Sequence, residues 1–239
     1  MKISDFIDIH AHILPGLDDG PERFSESLAL AQCYDDVGIK KVFATPHFLP
    51  GTAWSASPKK ILVAVRKLQD FLDDAGSSLT IIPGMEIAIQ KRMGKNLDKG
   101  RYLPLGDSNS YLLEPPFTHP GFDLLDPIAE FLERRQQVIL AHPERCEYFQ
   151  RHPEMLEKAH DSGVAIQINL GSLLGWFGQQ PKKTAEYLLA GKLIDFIASD
   201  AHSATRRRPP NLREWQALLE IVDPEVLREL TSTNPAKLL

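Results

Sequence analysis

The chain has 239 residues, of which 43% are hydrophobic and 25% are charged, and its net charge at pH 7 is −5. This length and composition predict a single globular domain over residues 1–239. The acidic balance disfavours binding to nucleic acid, and apolar stretches such as residues 138–141 are too short to cross a bilayer. Two cysteines outside any CxxC pair form neither a disulfide framework nor a thiolate zinc site, which predicts a reducing, cytoplasmic location.

Short strand-like runs alternate with helical patterns along the chain, and seven of these runs are dense in branched and aromatic apolar residues. They span residues 4–10, 41–45, 79–86, 110–114, 137–142, 165–170 and 195–200. Between the second and third runs, Ser57-Pro58 predicts the start of a helix. The apolar face of that helix would consist of Ile61, Val65, Leu68 and Leu72. The alternation predicts an α/β fold in which parallel strands form a closed or nearly closed barrel.

Histidines and carboxylates lie where the predicted strands end. The first strand ends in His10 and His12, and the last ends in Asp200 and His202. Residues two apart on a strand point the same way, so each pair can converge on one centre. Four more such residues lie at or just after the ends of the strands between them: His47, Glu86, Glu114 and His142. In a barrel of parallel strands these ends meet on one face, where the active site lies.

Together with Asp19, these residues form a candidate ligand set of histidines and carboxylates without a thiolate. Such a set suits Mn, Fe or Zn at a hydrolytic site. The set is too large for one ion and therefore predicts two or three metals. Two metals roughly 3.5–4 Å apart can share a hydroxide and stabilise the attacking and leaving oxygens of an in-line displacement. Three further histidines do not follow strands and are predicted to lie outside the site: His119, His152 and His160.

Charge favours a phosphorylated substrate at this site. Three divalent ions would outweigh the carboxylates, and Arg145 and the run Arg206-Arg207-Arg208 would add positive charge. The Cys-x5-Arg loop of cysteine-dependent phosphatases is absent from the sequence, because Ile39 and His152 stand where an arginine is needed. The sequence therefore predicts phosphomonoester hydrolysis without a cysteinyl intermediate.

Seven motifs resemble those of a known family: DIHAHILPGLDDGP at residues 8–21, ATPH at 44–47, PGMEI at 83–87, YLLE at 111–114, LAHPER at 140–145, ASDAH at 198–202 and RPP at 208–210. In these motifs the chain resembles the PHP (polymerase and histidinol phosphatase) superfamily. It is most similar to the bacterial manganese-dependent protein-tyrosine phosphatases of capsule and exopolysaccharide clusters. The resemblance implies a distorted seven-stranded (β/α) TIM-like barrel of the PHP type with a trinuclear centre, usually of manganese.

The resemblance also implies which residues hold each metal. The first metal would be held by His10, His12, Glu86 and Asp200. Glu86 would bridge to the second metal, together with Glu114 and His142. The third metal would be held by Asp19, His47 and His202.

Arg145 and Arg208 match the phosphate-contacting arginines of the family, although two extra arginines, Arg206 and Arg207, precede Arg208 here. His202, or a metal-bound water, is the candidate acid. The favoured reaction is hydrolysis of phosphotyrosine on a protein, with a bacterial tyrosine autokinase as the expected partner. The alternatives are a phosphatase for histidinol phosphate or another small molecule, a PHP nuclease, which the net charge disfavours, and a non-catalytic module, which the complete ligand set disfavours.

Overall fold

The computed structural model describes residues 2–118 and 121–239, in which strands alternate with helices. The strands are β1 (Ile7–Ala11), β2 (Lys41–Ala44), β3 (His47–Phe48), β4 (Thr80–Pro83), β5 (Glu86–Ala88), β6 (Ser110–Glu114), β7 (Gln137–Ala141), β8 (Ala165–Asn169) and β9 (Phe196–Ala198). The α-helices are α1 (Phe24–Asp35), α2 (Pro58–Asp74), α3 (Gly94–Asp98), α4 (Leu125–Leu132), α5 (Glu147–Arg151), α6 (Glu154–Asp161), α7 (Leu170–Leu173), α8 (Gln179–Ala190), α9 (Leu212–Ile221) and α10 (Pro224–Arg228). Among the described residues, every helix is too short or too polar to cross a membrane.

Within the described residues, the strands form two parallel sheets. One has the order β1-β2-β4, and the other has the order β3-β5-β6-β7-β8-β9. A parallel bridge between Ala11 and Ala201 connects β1 to the segment that follows β9. Beside it, the Asp200 N–H donates to the His10 carbonyl at 2.9 Å. The α/β class and the parallel strands predicted from the sequence are therefore confirmed.

The sheets differ from the continuous seven-stranded barrel that the sequence predicts. The second predicted strand stops at Ala44, and the chain resumes as β3 after Thr45-Pro46. The third is divided into β4 and β5 by Gly84-Met85, and after each break the chain pairs in the other sheet. Pro46 has no N–H to donate to a ladder. At Gly84 a Cβ would lie 2.7 Å from a methyl carbon of Leu105, so the backbone there passes too close for a side chain.

Helix α2 has the start and the apolar face that the sequence predicts. The Ser57 hydroxyl accepts a hydrogen bond from the Lys60 N–H at 3.3 Å, and Pro58 is the first helical residue. The predicted apolar positions are buried: Ile61, Val65, Leu68 and Leu72. This face packs the helix against β4.

A compact apolar cluster contains residues from both sheets. Ile9 and Phe43 come from the three-stranded sheet, and Leu112, Ile139 and Phe196 come from the six-stranded sheet. All five are buried. The two sheets therefore share one apolar interior, which supports the strand ends that carry the candidate ligands.

A buried carboxylate connects the first strand to the last. Asp8 of β1 accepts hydrogen bonds from the Ser199 N–H at 3.0 Å, from the Tyr34 hydroxyl at 2.8 Å and from the Ser199 hydroxyl. These donors stabilise the carboxylate, although burial is the larger influence and raises the pKa of Asp8 above its ordinary value. Asp8 thus fixes the segment that precedes Asp200 against β1.

Candidate metal centre

All nine predicted metal ligands lie in strands or in the segments that follow them. Strands β1, β3, β5 and β6 contain His10, His47, Glu86 and Glu114. The segments after β1, β7 and β9 contain His12, Asp19, His142, Asp200 and His202. Because the strands are parallel, their carboxyl ends can meet on one face of the molecule.

The structure brings all nine side chains together in four overlapping groups, within each of which the donor atoms lie within 4.8 Å of one another. The groups are His10, Glu86 and His142; His10, His12 and Asp200; His47, Glu86 and Glu114; and His12, Asp19, His47 and His202. Four residues belong to two groups each, so the groups form one continuous cluster. Overlap of this kind fits neighbouring ions that share ligands better than a single ion.

The centre of the cluster is a buried floor, made of His10, His12, Glu86 and Asp200. The two carboxylate oxygens of Glu86 lie 3.3 Å from His10 Nε2 and 3.2 Å from His12 Nε2. Asp200 Oδ1 lies 3.6 and 3.5 Å from the same two nitrogens. The Nε2 atoms of both histidines and the two carboxylates therefore face one small volume.

Some buried polar atoms of the cluster lack a hydrogen-bond partner among the described residues. They are Glu86 Oε2, Asp200 Oδ1 and His202 Nε2. Buried polar atoms are nearly always hydrogen-bonded, so unsatisfied atoms need another partner. Imidazole nitrogens and carboxylate oxygens are ligands for Mn, Fe or Zn. The residues therefore fit a group of divalent cations.

The pKa shifts within the cluster also favour bound cations. Burial and the neighbouring Glu86 carboxylate raise the pKa of Glu114 to about 8. Burial and the neighbouring His12 lower the pKa of His202 to about 4, so its imidazole is neutral at pH 7. Although burial acts in the opposite direction, the carboxylates also raise the pKa of His10, His12 and His47, so the crowded carboxylates attract positive charge and favour added cations.

The backbone adopts an uncommon conformation at two ligands. His142 has φ 30° and Asp200 has φ 56°, in the left-handed region that side chains other than Gly rarely adopt. His142 directly follows β7, and Asp200 lies two residues after the end of β9. The left-handed turn redirects the side chain at the end of the strand toward the cluster.

Strand β8 orients two floor residues. His10 Nδ1 lies 3.0 Å from Gln167 Oε1, and the Gln167 amide donates to Asn169 Oδ1 at 3.0 Å. The Asn169 amide in turn donates to Asp200 Oδ2 at 2.8 Å. Donation from His10 Nδ1 to Gln167 leaves the Nε2 lone pair free for a metal. Neither Gln167 nor Asn169 is among the residues predicted from the sequence, although polar side chains at alternate positions of an apolar strand are a usable signal.

Asp18 orients His12 in the way that Gln167 orients His10. Its Oδ2 atom lies 2.6 Å from His12 Nδ1 and accepts from the His47 N–H at 3.0 Å. Although burial acts in the opposite direction, the charge of His12 keeps the pKa of Asp18 below its ordinary value. Asp18 stands next to the predicted ligand Asp19, so the sequence pointed to the correct segment.

Two arginines reach the floor, and they are not the predicted pair. Arg145 Nη1 and Arg207 Nη2 lie 2.8 and 2.5 Å from Asp200 Oδ2. Arg208 instead makes a two-pronged pair with Glu214 of α9, at 2.7 and 2.9 Å. The geometry thus agrees with the predicted position of Arg145 but places Arg207, rather than Arg208, at the cluster, because Glu214 already binds the Arg208 guanidinium.

The histidines predicted to lie outside the site do so where they are described. His152 pairs with Glu154 at 3.4 Å, and His160 with Asp195 at 3.6 Å. Neither belongs to the cluster groups. His119 lies outside the described residues.

Two cavities open beside the cluster and share Asp19. The loop cavity has a volume of about 480 Å³ and is lined by Glu26 and residues 202–207. The second cavity has a volume of about 350 Å³ and lies beside His47 and Glu114. The cluster is therefore accessible from two sides.

The parallel strands and the cluster at their carboxyl ends define an α/β protein with a candidate metal centre. A structure of histidinol phosphate phosphatase from Lactococcus lactis shares the fold, with a TM-score of 0.60 and 14% identity over 97% of this chain and 98% of that one. A family model for capsular polysaccharide synthesis, CpsB/CapC, matches residues 6–239. The chain belongs to the CpsB/CapC family, which confirms the branch that the motifs predict.

Relatives with curated names are similar over most of their length. The tyrosine-protein phosphatase YwqE of Bacillus subtilis is 35% identical over 84% of this chain and 79% of its own. The tyrosine-protein phosphatase CpsB of Streptococcus pneumoniae is 27% identical over 98% of both chains. A crystal structure from work on these two proteins, described as unique metal-dependent tyrosine phosphatases, has a TM-score of 0.83 and 32% identity over 97% of this chain and 90% of that one.

Proposed function

We propose that this protein is a metal-dependent protein-tyrosine phosphatase. The observation that carries the proposal is the cluster of nine candidate ligands with two arginines, Arg145 and Arg207, at Asp200. The names of the CpsB/CapC relatives support the same reaction. The substrate would be a phosphotyrosine protein, and the proposed partner is a bacterial tyrosine autokinase of capsule or exopolysaccharide synthesis in the cytoplasm. The family description, capsular polysaccharide synthesis, supports the pathway.

The cluster is proposed to hold two or three divalent ions, with manganese as the first candidate and iron or zinc as alternatives. The four groups of donors supply the ligands, and Glu86 belongs to two of them. Neighbouring divalent ions lower the pKa of bound water and neutralise phosphoryl oxygens. When His10 and His12 are neutral, their Nδ1 contacts with Gln167 and Asp18 would favour the tautomer with a free Nε2.

Arg145 and Arg207 are proposed to bind the non-bridging phosphoryl oxygens. A guanidinium group is planar and presents paired N–H donors, which match two oxygens of a phosphoryl group. The Arg145 guanidinium lies 4.8 Å from the Phe117 ring centre and 4.3 Å from that of Phe177. The two rings restrict its orientation, so that its donors are in position before substrate binds.

His202 is proposed as a ligand rather than as the acid. Burial and His12 lower its pKa to about 4, so at neutral pH the ring is not in the imidazolium form that could act as a general acid. A tyrosine leaving group has a pKa of about 10 and needs less help from an acid than an alkoxide. A site in which His202 is not available as an acid therefore suits an aryl ester.

The fold is proposed to be a distorted form of the barrel, in one domain over residues 1–239. The two sheets share an apolar interior, and the bridge between Ala11 and Ala201 connects the first strand to the last segment. Both features are expected of a closed ring of strands with local breaks.

A substrate panel tests the proposed function. The protein is loaded with Mn²⁺ and assayed with a phosphotyrosine peptide, histidinol phosphate and a bis-aryl phosphodiester. The proposal expects the highest kcat/KM with the phosphotyrosine peptide, loss of turnover with EDTA, and recovery with added Mn²⁺. A preference for histidinol phosphate would make this a small-molecule phosphatase, and a preference for the diester would indicate a nuclease.

A further inference from the structure

The second cavity beside the cluster has aromatic walls. We call it the aromatic groove, and its apolar lining includes Leu49, Trp54 and residues 115–117, next to His47 and Glu114. Its volume of about 350 Å³ lies at the small end of the range of ligand pockets, roughly 300–1,000 Å³. An apolar groove that opens onto a charged cluster can bind a ligand that is polar at one end and apolar at the other.

Trp54 forms one wall and is fixed by its own loop. The indole is nearly parallel to the His47 imidazole, with 5.6 Å between ring centres and an angle of 15°. The Leu49 N–H donates to the Trp54 carbonyl at 2.6 Å, and Phe48 and Ser55 form an antiparallel bridge. Trp54 nevertheless remains 36% exposed. Its position is set, but much of its apolar surface is left uncovered.

Phe117 contributes a second aromatic ring to the lining of the aromatic groove. Its ring is parallel to the His142 imidazole, with 5.9 Å between centres and an angle of 2°, and it is 46% exposed. It follows Pro115-Pro116, and its carbonyl accepts from the Glu147 N–H at 2.8 Å. Each aromatic wall therefore stacks on a candidate metal ligand and also faces solvent.

The loop cavity, which also contains Asp19 in its lining, lacks the aromatic walls of the aromatic groove. Its lining consists of Asp19, Gly20, Pro21, Glu26, Ala29 and residues 202–207, and contains no Phe, Tyr or Trp side chain among the described residues. An aromatic ring gains area burial and stacking energy from other aromatic rings. Of the two cavities, the aromatic groove is therefore the one suited to a phenyl ring.

We propose that the aromatic groove binds the phenol ring of the substrate against Trp54 and Phe117 and makes the site selective for aryl over alkyl phosphomonoesters. The proposal rests on the proposed function, because it takes the phosphoryl group to lie at the cluster. Serine and threonine phosphates have no ring to place in the groove. Trp54 and Phe117 are thus specificity-determining residues, and the loop cavity is left for the peptide chain.

A pair of phosphonates that are not hydrolysed measures the contribution of the ring directly. Calorimetric titration of the Mn²⁺-loaded protein compares the Kd of phenylphosphonate with that of methylphosphonate. The wild type is expected to bind phenylphosphonate about tenfold more tightly, as expected from one or two aromatic contacts. Trp54→Ala and Phe117→Ala should each reduce this ratio, and Trp54→Phe should retain most of it.

A matched control is Phe71→Ala, which removes an aromatic ring of similar exposure on α2, in contact with Phe24 and outside the groove. It should leave the ratio unchanged. Equal affinities for the two phosphonates in the wild type would overturn the proposal. So would an equal loss of both affinities in Trp54→Ala, since Trp54 would then only support His47. Metal content is measured on every variant.

The phosphotyrosine panel separates this proposal from the proposed function. If the wild type hydrolyses no phosphotyrosine peptide but the phosphonate ratios respond as expected, the phosphatase assignment fails and the groove remains an aryl site. If it hydrolyses the peptide and the ratios do not respond to either substitution, the groove proposal alone fails. If neither phosphonate binds, the groove proposal fails, and the peptide panel alone decides the proposed function.

Discussion

The buried floor and the rim of the candidate metal centre are built in different ways. The floor residues His10, His12, Glu86 and Asp200 lie in strands or within two residues of a strand end and are buried. The rim residues Trp54, Phe117, Arg145 and Arg207 lie in loops or short turns and are partly exposed. Strand pairing fixes the floor, whereas side-chain contacts fix the rim. We therefore expect metal binding to depend on the floor and substrate recognition to depend on the rim.

Removal of a shared floor ligand should have the largest effect. Glu86→Ala removes a carboxylate that lies within 3.3 Å of both His10 and His12. Turnover should fall by more than about 10³-fold, beyond the roughly 10²–10³-fold that loss of one transition-state donor causes. Metal content by elemental analysis should fall as well. The exposed Glu147→Ala is the control, and normal metal content in Glu86→Ala would contradict the role of the floor.

The two neighbouring arginines provide a sharper comparison within the rim. Arg207→Ala should lower kcat/KM by about 10²–10³-fold while metal content stays intact, because a guanidinium stabilises charge but does not bind metals. Arg208→Ala removes the partly exposed pair with Glu214 and a hydrogen bond to the Pro209 carbonyl, and it should change the free energy of unfolding by about 1 kcal/mol. If kcat/KM falls in Arg208→Ala rather than in Arg207→Ala, the assignment of the arginines reverses.

The buried carboxyl group of Glu144 has a raised pKa, whereas the pKa values of the floor carboxylates Glu86 and Asp200 are lowered. Glu144 Oε1 accepts from the Asn169 N–H at 3.0 Å and the Ser172 hydroxyl at 2.6 Å, and burial raises its pKa to about 7. As pH rises above about 4.5, the unfolded chain loses the Glu144 proton, whereas the native state keeps it until about pH 7. Glu144 thus lowers the free energy of unfolding progressively up to about pH 7, by about 3 kcal/mol in total.

Glu144→Gln should remove that part of the pH dependence, so the variant gains stability relative to the wild type as pH rises. Denaturant unfolding of the metal-free protein at several pH values measures the difference. Glu147→Gln, at an exposed neighbouring position, is the control and should follow the wild type. A constant difference between Glu144→Gln and wild type would show that the carboxyl group has an ordinary pKa.

The smallest expected effect concerns the support of the floor from β8. Gln167→Ala leaves His10 Nδ1 without its acceptor at 3.0 Å and should weaken metal binding by about 10–100-fold. Competition with a coloured chelator gives the affinity, and Gln180→Ala on the exposed surface of α8 is the control. An unchanged affinity would mean that the strand alone orients His10.

The floor could be predicted from the sequence because its signal is periodic. Residues two apart on a strand share a face, so the pairs at His10 and Asp200 already indicated one centre. The structure brings these pairs together with His47, Glu86 and Glu114 as the pattern predicts. Prediction was possible because parallel strands order their ends without reference to loop geometry.

The rim and the strand breaks could not be predicted in the same way. Which of Arg206, Arg207 and Arg208 enters the site depends on the path of a loop and on Glu214, a contact without periodic signal. The division of the third strand at Gly84-Met85 depends on the approach of Leu105, which is distant in sequence. The motif resemblance identified the family but favoured Arg208 as the phosphate-contacting arginine, whereas Arg207 lies at the cluster. Extra residues in a loop change which arginine occupies a given position.

The contact between Asp8 and Ser199 also bears on how the molecule folds. These residues are 191 positions apart in sequence, yet they hold the first strand against the segment before Asp200. Contacts between distant parts of a chain form slowly, because a long loop must close before they add stability. The floor draws His10 and His12 from one end of this loop and Asp200 from the other. Metal capture is therefore expected to be a late event in folding, and the rate at which the refolding chain takes up Mn²⁺ would report ring closure.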